Sequence, residues 1–153
     1  PEDQLVVSGE SQTSEQAIDL ANPIASNMAQ MRLSLLPGLL NTARSNEQRQ
    51  HSRIRLFEMG HSFAADSESD TGAREISNTA LLAGGAQQGV AWDGQSRNTD
   101  FFDIKGDLNA LFDRIGILAN IEYRSNNAHP ALHPGQAADI YLDGEKIGFI
   151  GTL

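Results

Sequence analysis

Between Ser34 and Arg49 (SLLPGLLNTARSNEQR), the apolar residues Leu36, Leu39, Leu40 and Ala43 recur at the three- and four-residue spacing that lines one face of a helix. Ser34 stands where a cap is needed, and Pro37 falls in the first turn, where its missing N–H is harmless. A helix is predicted here, with polar last turns. A second and clearer one follows Asp100, where Ile104, Leu108, Leu111, Phe112 and Ile115 form a single stripe, Thr99 or Asp100 supplies the cap and Gly116 the stop. This amphipathic pattern predicts a helix lying on a sheet.

Elsewhere the pattern is that of strands. Arg53–Met59 sets Ile54 and Leu56 on one face and Phe57 on the other and ends at Gly60, so a strand internal to a sheet is expected. Thr79–Ala83 is apolar and closes on Gly84-Gly85, a buried strand. Ile121–Arg124 reads as another, and Ala137–Gly151 as a hairpin turning at Asp143-Gly144, a dipeptide suited to a type I′ turn. The acidic, serine-rich Ala64–Ser77 stretch reads as a surface loop, and Gln87–Thr99 as a loop around Trp92. Ala17–Leu20 alternates weakly and runs into the turn signal Asn22-Pro23. Strands outnumber helices without alternating with them, which gives an α+β class: an antiparallel sheet flanked by helices on one face. Two regions are expected: a polar segment over 1–16, with Leu5–Val7 as a possible edge strand, and one core module over 17–153.

Composition narrows the function classes. Of 153 residues 39% are hydrophobic and 14 are glycine, within the usual globular range, which excludes disorder along the whole length. With no cysteine there is neither a disulfide framework nor thiolate chemistry, as is usual for an intracellular protein. No apolar run approaches the roughly 18 residues of a membrane span, and no signal-peptide pattern opens the chain, so no membrane partner is expected. The start at Pro1 and the apolar run Ile147–Leu153 at the other end read as a piece cut from a longer protein, truncated at its C-terminus. A net charge of −9 makes the average surface repel phosphate backbones. Arg44, Arg49, Arg53 and Arg55 form the one candidate basic cluster, and their plain reading is solvated charge at a helix end and strand edge.

Candidate chemistry is sparse. Of the four histidines only His129 and His133 are close, and Pro130 and Pro134 forbid the helix that would bring rings four residues apart together on a metal. The plain reading of HPALHPG (His129–Gly135) is a proline-fixed loop beside the sheet. No G-x-S-x-G is present, Gly84-Gly85 with Gly89 is too irregular for a phosphate cradle, and Asp100, Asp103, Asp107 and Asp113 read as a solvated helix face. No catalytic, cofactor-binding or metal residues emerge.

Five segments in order carry a resemblance: NPIASNMAQMRLSLLPGLL (Asn22–Leu40), RLFEMG (Arg55–Gly60), DFFDIKGDL (Asp100–Leu108), HPALHPG and IYLDGEKIGFIG (Ile140–Gly151). Together they resemble the β-subunit family of bacterial phenylalanyl-tRNA synthetase. The resemblance implies a partial, non-catalytic copy of the class II aminoacyl-tRNA synthetase fold. It also implies an α-subunit partner in an α2β2 tetramer that attaches phenylalanine to tRNA with ATP and magnesium, tRNA being contacted by other domains. A working class II site holds the ATP α-phosphate with an arginine shortly after the strand ending in glycine, because a guanidinium fork pairs with phosphate and stabilises its developing charge. Here Gly60 is followed by His61-Ser62-Phe63-Ala64-Ala65, with no arginine. The third motif of that fold would lie beyond Leu153, and the family's magnesium-binding acids lie in a preceding domain.

The implied role is that of a structural module of an ATP-dependent ligase, inactive alone, that holds the α subunit. Leu35, Leu36, Leu39 and Leu40 give more apolar surface than one helix stripe needs and are the candidate interface, against a plain core role for the same leucines. Two alternatives stand beside it. One is a free-standing module for a small ligand, an amino acid or a nucleotide, on the same fold. The other is direct tRNA contact through Arg44, Arg49, Arg53 and Arg55, which opposes the acidic average.

Overall fold

The structure is a computed structural model that describes residues 17–25, 29–88, 97–126 and 129–153. The Leu5–Val7 strand expectation and the Trp92 loop tip lie outside the described residues. The chain divides into two compact units, Pro1–Leu82 and Ala83–Leu153.

In the first unit, α1 (Leu36–Gln48) has Pro37 in its first turn, and Ser34 Oγ accepts from the Leu36 N–H at 3.2 Å. Two long strands follow, β1 (Arg53–Ala65) and β2 (Ala73–Gly85), paired as a two-stranded sheet. The turn over 66–72 closes on its own polar side chains. The Asp66 N–H bonds to the Gly72 carbonyl at 3.0 Å, Asp66 Oδ1 accepts from the Glu68 N–H, Ser69 Oγ donates to the Ala73 carbonyl, and Gly72 takes φ +71°.

Two expectations are corrected here. Strand β1 does not stop at Gly60, and β2 begins four residues before the end of the expected Ala64–Ser77 loop. Arg74–Ser77 are exposed on both faces, so this part of the hairpin has no apolar alternation to betray it. Nor is β1 internal to a sheet. Its paired strand is β2, supplemented by the Phe63 N–H bonding to the Arg32 carbonyl at 2.9 Å, and Phe57 is 73% exposed. Upstream, the weak alternation at Ala17–Leu20 forms an antiparallel bridge between Asp19 and Gln30. The core of this unit is Leu33, Leu35, Leu39 and Ala64.

In the second unit, α2 (Phe101–Arg114) starts on a full capping box: Asp100 Oδ1 accepts from the Phe102 and Asp103 N–H groups, and Asp103 Oδ2 accepts from the Asp100 N–H. Its stop is Gly116 at φ +80°. After a short 3₁₀ turn at Leu118–Asn120 come β3 (Ile121–Ser125), β4 (Ala137–Leu142) and β5 (Glu145–Gly151), wholly antiparallel in the order β3-β4-β5. The expected hairpin turns with φ +51° at Asp143 and +87° at Gly144, as a type I′ turn requires.

Register places Tyr123, Ala138, Ile140 and Ile150 on one sheet face. Helix α2 lies over it, with Tyr123 Oη donating to Asn109 Oδ1 at 2.8 Å and Lys105 Nζ 4.5 Å from the Tyr123 ring centre. Leu108, Phe112, Ala138, Ile140 and Ile150 are buried, while Leu111 and Ile115 of the predicted stripe stay exposed. The α+β class therefore holds, with two antiparallel sheets instead of the single one expected. Each strand of β1–β2 and of β3–β5 pairs with a neighbour close in sequence.

Candidate functional site

The first unit holds both surfaces singled out from sequence. Strand alternation turns Ile54, Leu56, Glu58, Gly60, Ser62 and Ala64 to one face of β1, half-buried or buried, and Arg53, Arg55, Phe57, Met59 and His61 to the other, exposed. The inner face receives α1. Arg32, just upstream of the helix, crosses it: Nη1 donates to Glu58 Oε1 at 2.6 Å and Nε to the His61 carbonyl at 2.7 Å. Gly60 makes this crossing possible, because a Cβ there would lie 2.3 Å from Arg32 Nη2 and 3.4 Å from Leu35 Cδ2.

The candidate interface leucines separate into two kinds. Leu35 is 2% exposed and Leu39 4%, so both are spent on the core, whereas Leu36 and Leu40 are half-buried and retain surface to offer. Arg44, Arg49, Arg53 and Arg55 are all exposed. They do not converge on one element: the first lies within α1, the second caps its end, and the other two lie on the outer face of β1.

Beyond Gly60, where the class II pattern calls for an arginine, His61 pairs with Glu75 across the hairpin, and buried Ser62 Oγ accepts from Asn78 Nδ2 at 2.7 Å. This stretch holds no guanidinium or ammonium group for pairing with phosphate. The guanidinium nearest Gly60 is Arg32, and it is committed to Glu58 and the His61 carbonyl. The sequence signals this contact only by an arginine inside the first resemblance segment and a glutamate inside the second.

Among the described residues, no three His, Asp or Glu side chains converge in a metal-holding group. Asp103 serves the capping box and takes both Nη atoms of Arg97 at 2.6 Å, so its role in the fold is structural. Beside the second sheet, Asp139 accepts from Asn126 Nδ2 at 2.8 Å and pairs with Lys146 Nζ at 3.0 Å. Burial pushes its carboxyl up, but these two donors outweigh that and hold it below the usual carboxylate range.

The family described as the phenylalanyl tRNA synthetase beta chain CLM domain matches residues 1–153. The chain belongs to this family. It is 46% identical over 139 residues to the phenylalanine–tRNA ligase beta subunit of Yersinia pestis. It is likewise 46% identical over 143 residues to that of Photorhabdus laumondii and over 142 residues to that of Hahella chejuensis. Each match covers 91% of this chain, which spans only 17% of the length of these relatives. In this chain the Arg32–Glu58–Gly60 arrangement ties the first and second resemblance segments together. Among the described residues no helix is long and apolar enough to cross a membrane.

Proposed function

We propose that the chain is a non-catalytic structural module of a cytoplasmic phenylalanine–tRNA ligase β subunit. In this reading it takes the partial form of a class II synthetase-like core and supports assembly with the catalytic α subunit in an α2β2 tetramer. The observation that carries the reading is the family match along the whole chain. Its non-catalytic character is supported by the His61–Ala65 strand end, which presents a histidine held against Glu75 and a buried serine where an α-phosphate would need a guanidinium fork.

Assembly is supported by Leu36 and Leu40, which carry apolar surface on α1 next to a fully packed pair, Leu35 and Leu39. ATP and magnesium are held by other parts of the holoenzyme, and tRNA is met by other domains of the full-length subunit. What these residues do is hold shape: Arg32 locks the start of α1 to β1, and the capping box locks the start of α2. The test is phenylalanine-dependent ATP–pyrophosphate exchange by this chain alone. No exchange above background is expected, and saturable exchange would overturn the non-catalytic reading.

A further inference from the structure

The HPALHPG segment is docked on the second sheet opposite α2. Asp139 and Phe149 are register partners on the face that also carries Glu122, Arg124, Tyr141 and Lys146. The His129 ring lies 4.6 Å from the Phe149 ring and is 7% exposed. Its Nδ1 accepts from the Ala131 N–H at 3.2 Å, so in the neutral ring the hydrogen sits on Nε2. That Nε2 is buried and has no hydrogen-bond partner among the described residues.

From this anchor the loop reaches the end of β5. The Leu132 N–H bonds to the His129 carbonyl, the His133 N–H to the Thr152 carbonyl at 2.7 Å, and the Thr152 N–H to the Gln136 carbonyl at 3.0 Å. Leu132 sits over Gly151, where a Cβ would lie 2.6 Å from Leu132 Cδ1.

We infer that His129 is an acid-released latch: the loop over 129–136 is docked only while the His129 ring is neutral, and protonation frees it from the sheet. An imidazolium cannot keep the docked geometry. Its new Nδ1–H would point at the Ala131 N–H, ending the ring's one hydrogen bond among the described residues, and the Nε2–H, already without an acceptor there, gains none. The added charge would also be buried near Lys146. The nearest carboxylate, Asp139, already serves Lys146 and Asn126; Glu122 is paired with Arg124, and His133 on the loop itself is exposed and adds no compensating anion. Burial first, and Lys146 second, accordingly push the His129 pKa down, against a smaller opposing pull from Asp139.

Release uncovers Gly151 and the end of β5. The device thus couples proton uptake by one residue to exposure of a sheet end, independently of any ligase role.

Amide hydrogen exchange at His133 and Thr152, corrected for the intrinsic rate, tests it between about pH 7.5 and 5.5. If opening exposes a histidine of ordinary pKa near 6.5, the opening equilibrium rises about tenfold over that range, while amides at the β3–β4 pairing stay level. In His129→Asn, whose Oδ1 keeps an acceptor without titrating, the rise is abolished; in His133→Asn it persists. A flat profile in the unmodified chain, or an unchanged rise in His129→Asn, overturns the latch. Should His129→Asn fail to fold, imidazole ¹⁵N shifts of the unmodified chain decide. Nε2–H tautomer signals in the docked state at both pH values support the latch, and a doubly protonated His129 in a docked loop refutes it.

Discussion

Gly60 sets how closely Arg32 can approach β1, and through that contact the start of α1 is tied to the strand. Gly60→Ala puts a Cβ 2.3 Å from Arg32 Nη2, at the far end of a flexible side chain, so the guanidinium moves and loses its bonds to Glu58 and the His61 carbonyl. The pair is partly exposed, with 43% and 33% of the side chains accessible, which limits the loss to about 1 kcal/mol in a urea titration. Gly84→Ala is the control. Nothing lies within 4 Å of its added Cβ, so stability holds or rises slightly. The neutral His129 ring is a second residue-scale determinant. Its folded pKa is depressed, so its contribution is full above the ordinary value of about 6.5 and lost as pH falls below it.

At the scale of elements, the two helices rest on different supports. Helix α2 begins on a reciprocal cap, and Asp100→Ala removes the acceptor of two N–H groups, costing about 1 kcal/mol by thermal or chemical unfolding. Helix α1 depends on burial: Leu39→Ala costs about 2–5 kcal/mol, and Leu36→Ala and Leu40→Ala, on half-buried side chains, cost less.

These elements also show what was legible beforehand. Both helices, β3 and the Asp143-Gly144 hairpin were readable, because each is specified by local capping, periodicity or turn chemistry. The β1–β2 hairpin was not readable in full. Its Arg74–Ser77 segment is wet on both faces, so burial left no alternation there, and Gly60 looked like a terminator when its role is to admit Arg32 from 28 positions upstream (60 − 32). Of the candidate interface, the leucine cluster was visible, but its division into two core and two surface members depends on how α1 is rotated against β1.

At the scale of the whole molecule, the net charge of −9 and the scatter of Arg44, Arg49, Arg53 and Arg55 over a helix, its end and an exposed strand face argue against a phosphate-tracking groove. Replacing all four with alanine is expected to leave the tRNA affinity of the assembled enzyme unchanged, as measured by filter binding at fixed salt. In the proposed assembly this module holds a phenylalanyl-tRNA synthetase α subunit through surface that includes Leu36 and Leu40. Size-exclusion chromatography with light scattering of the chain mixed with an α subunit from the same source tests it most directly. A joint peak with the mass of a complex is expected, weakened when Leu36 and Leu40 are both changed to serine. Separate peaks for the unmodified chain and the α subunit, each at its own mass, would contradict it.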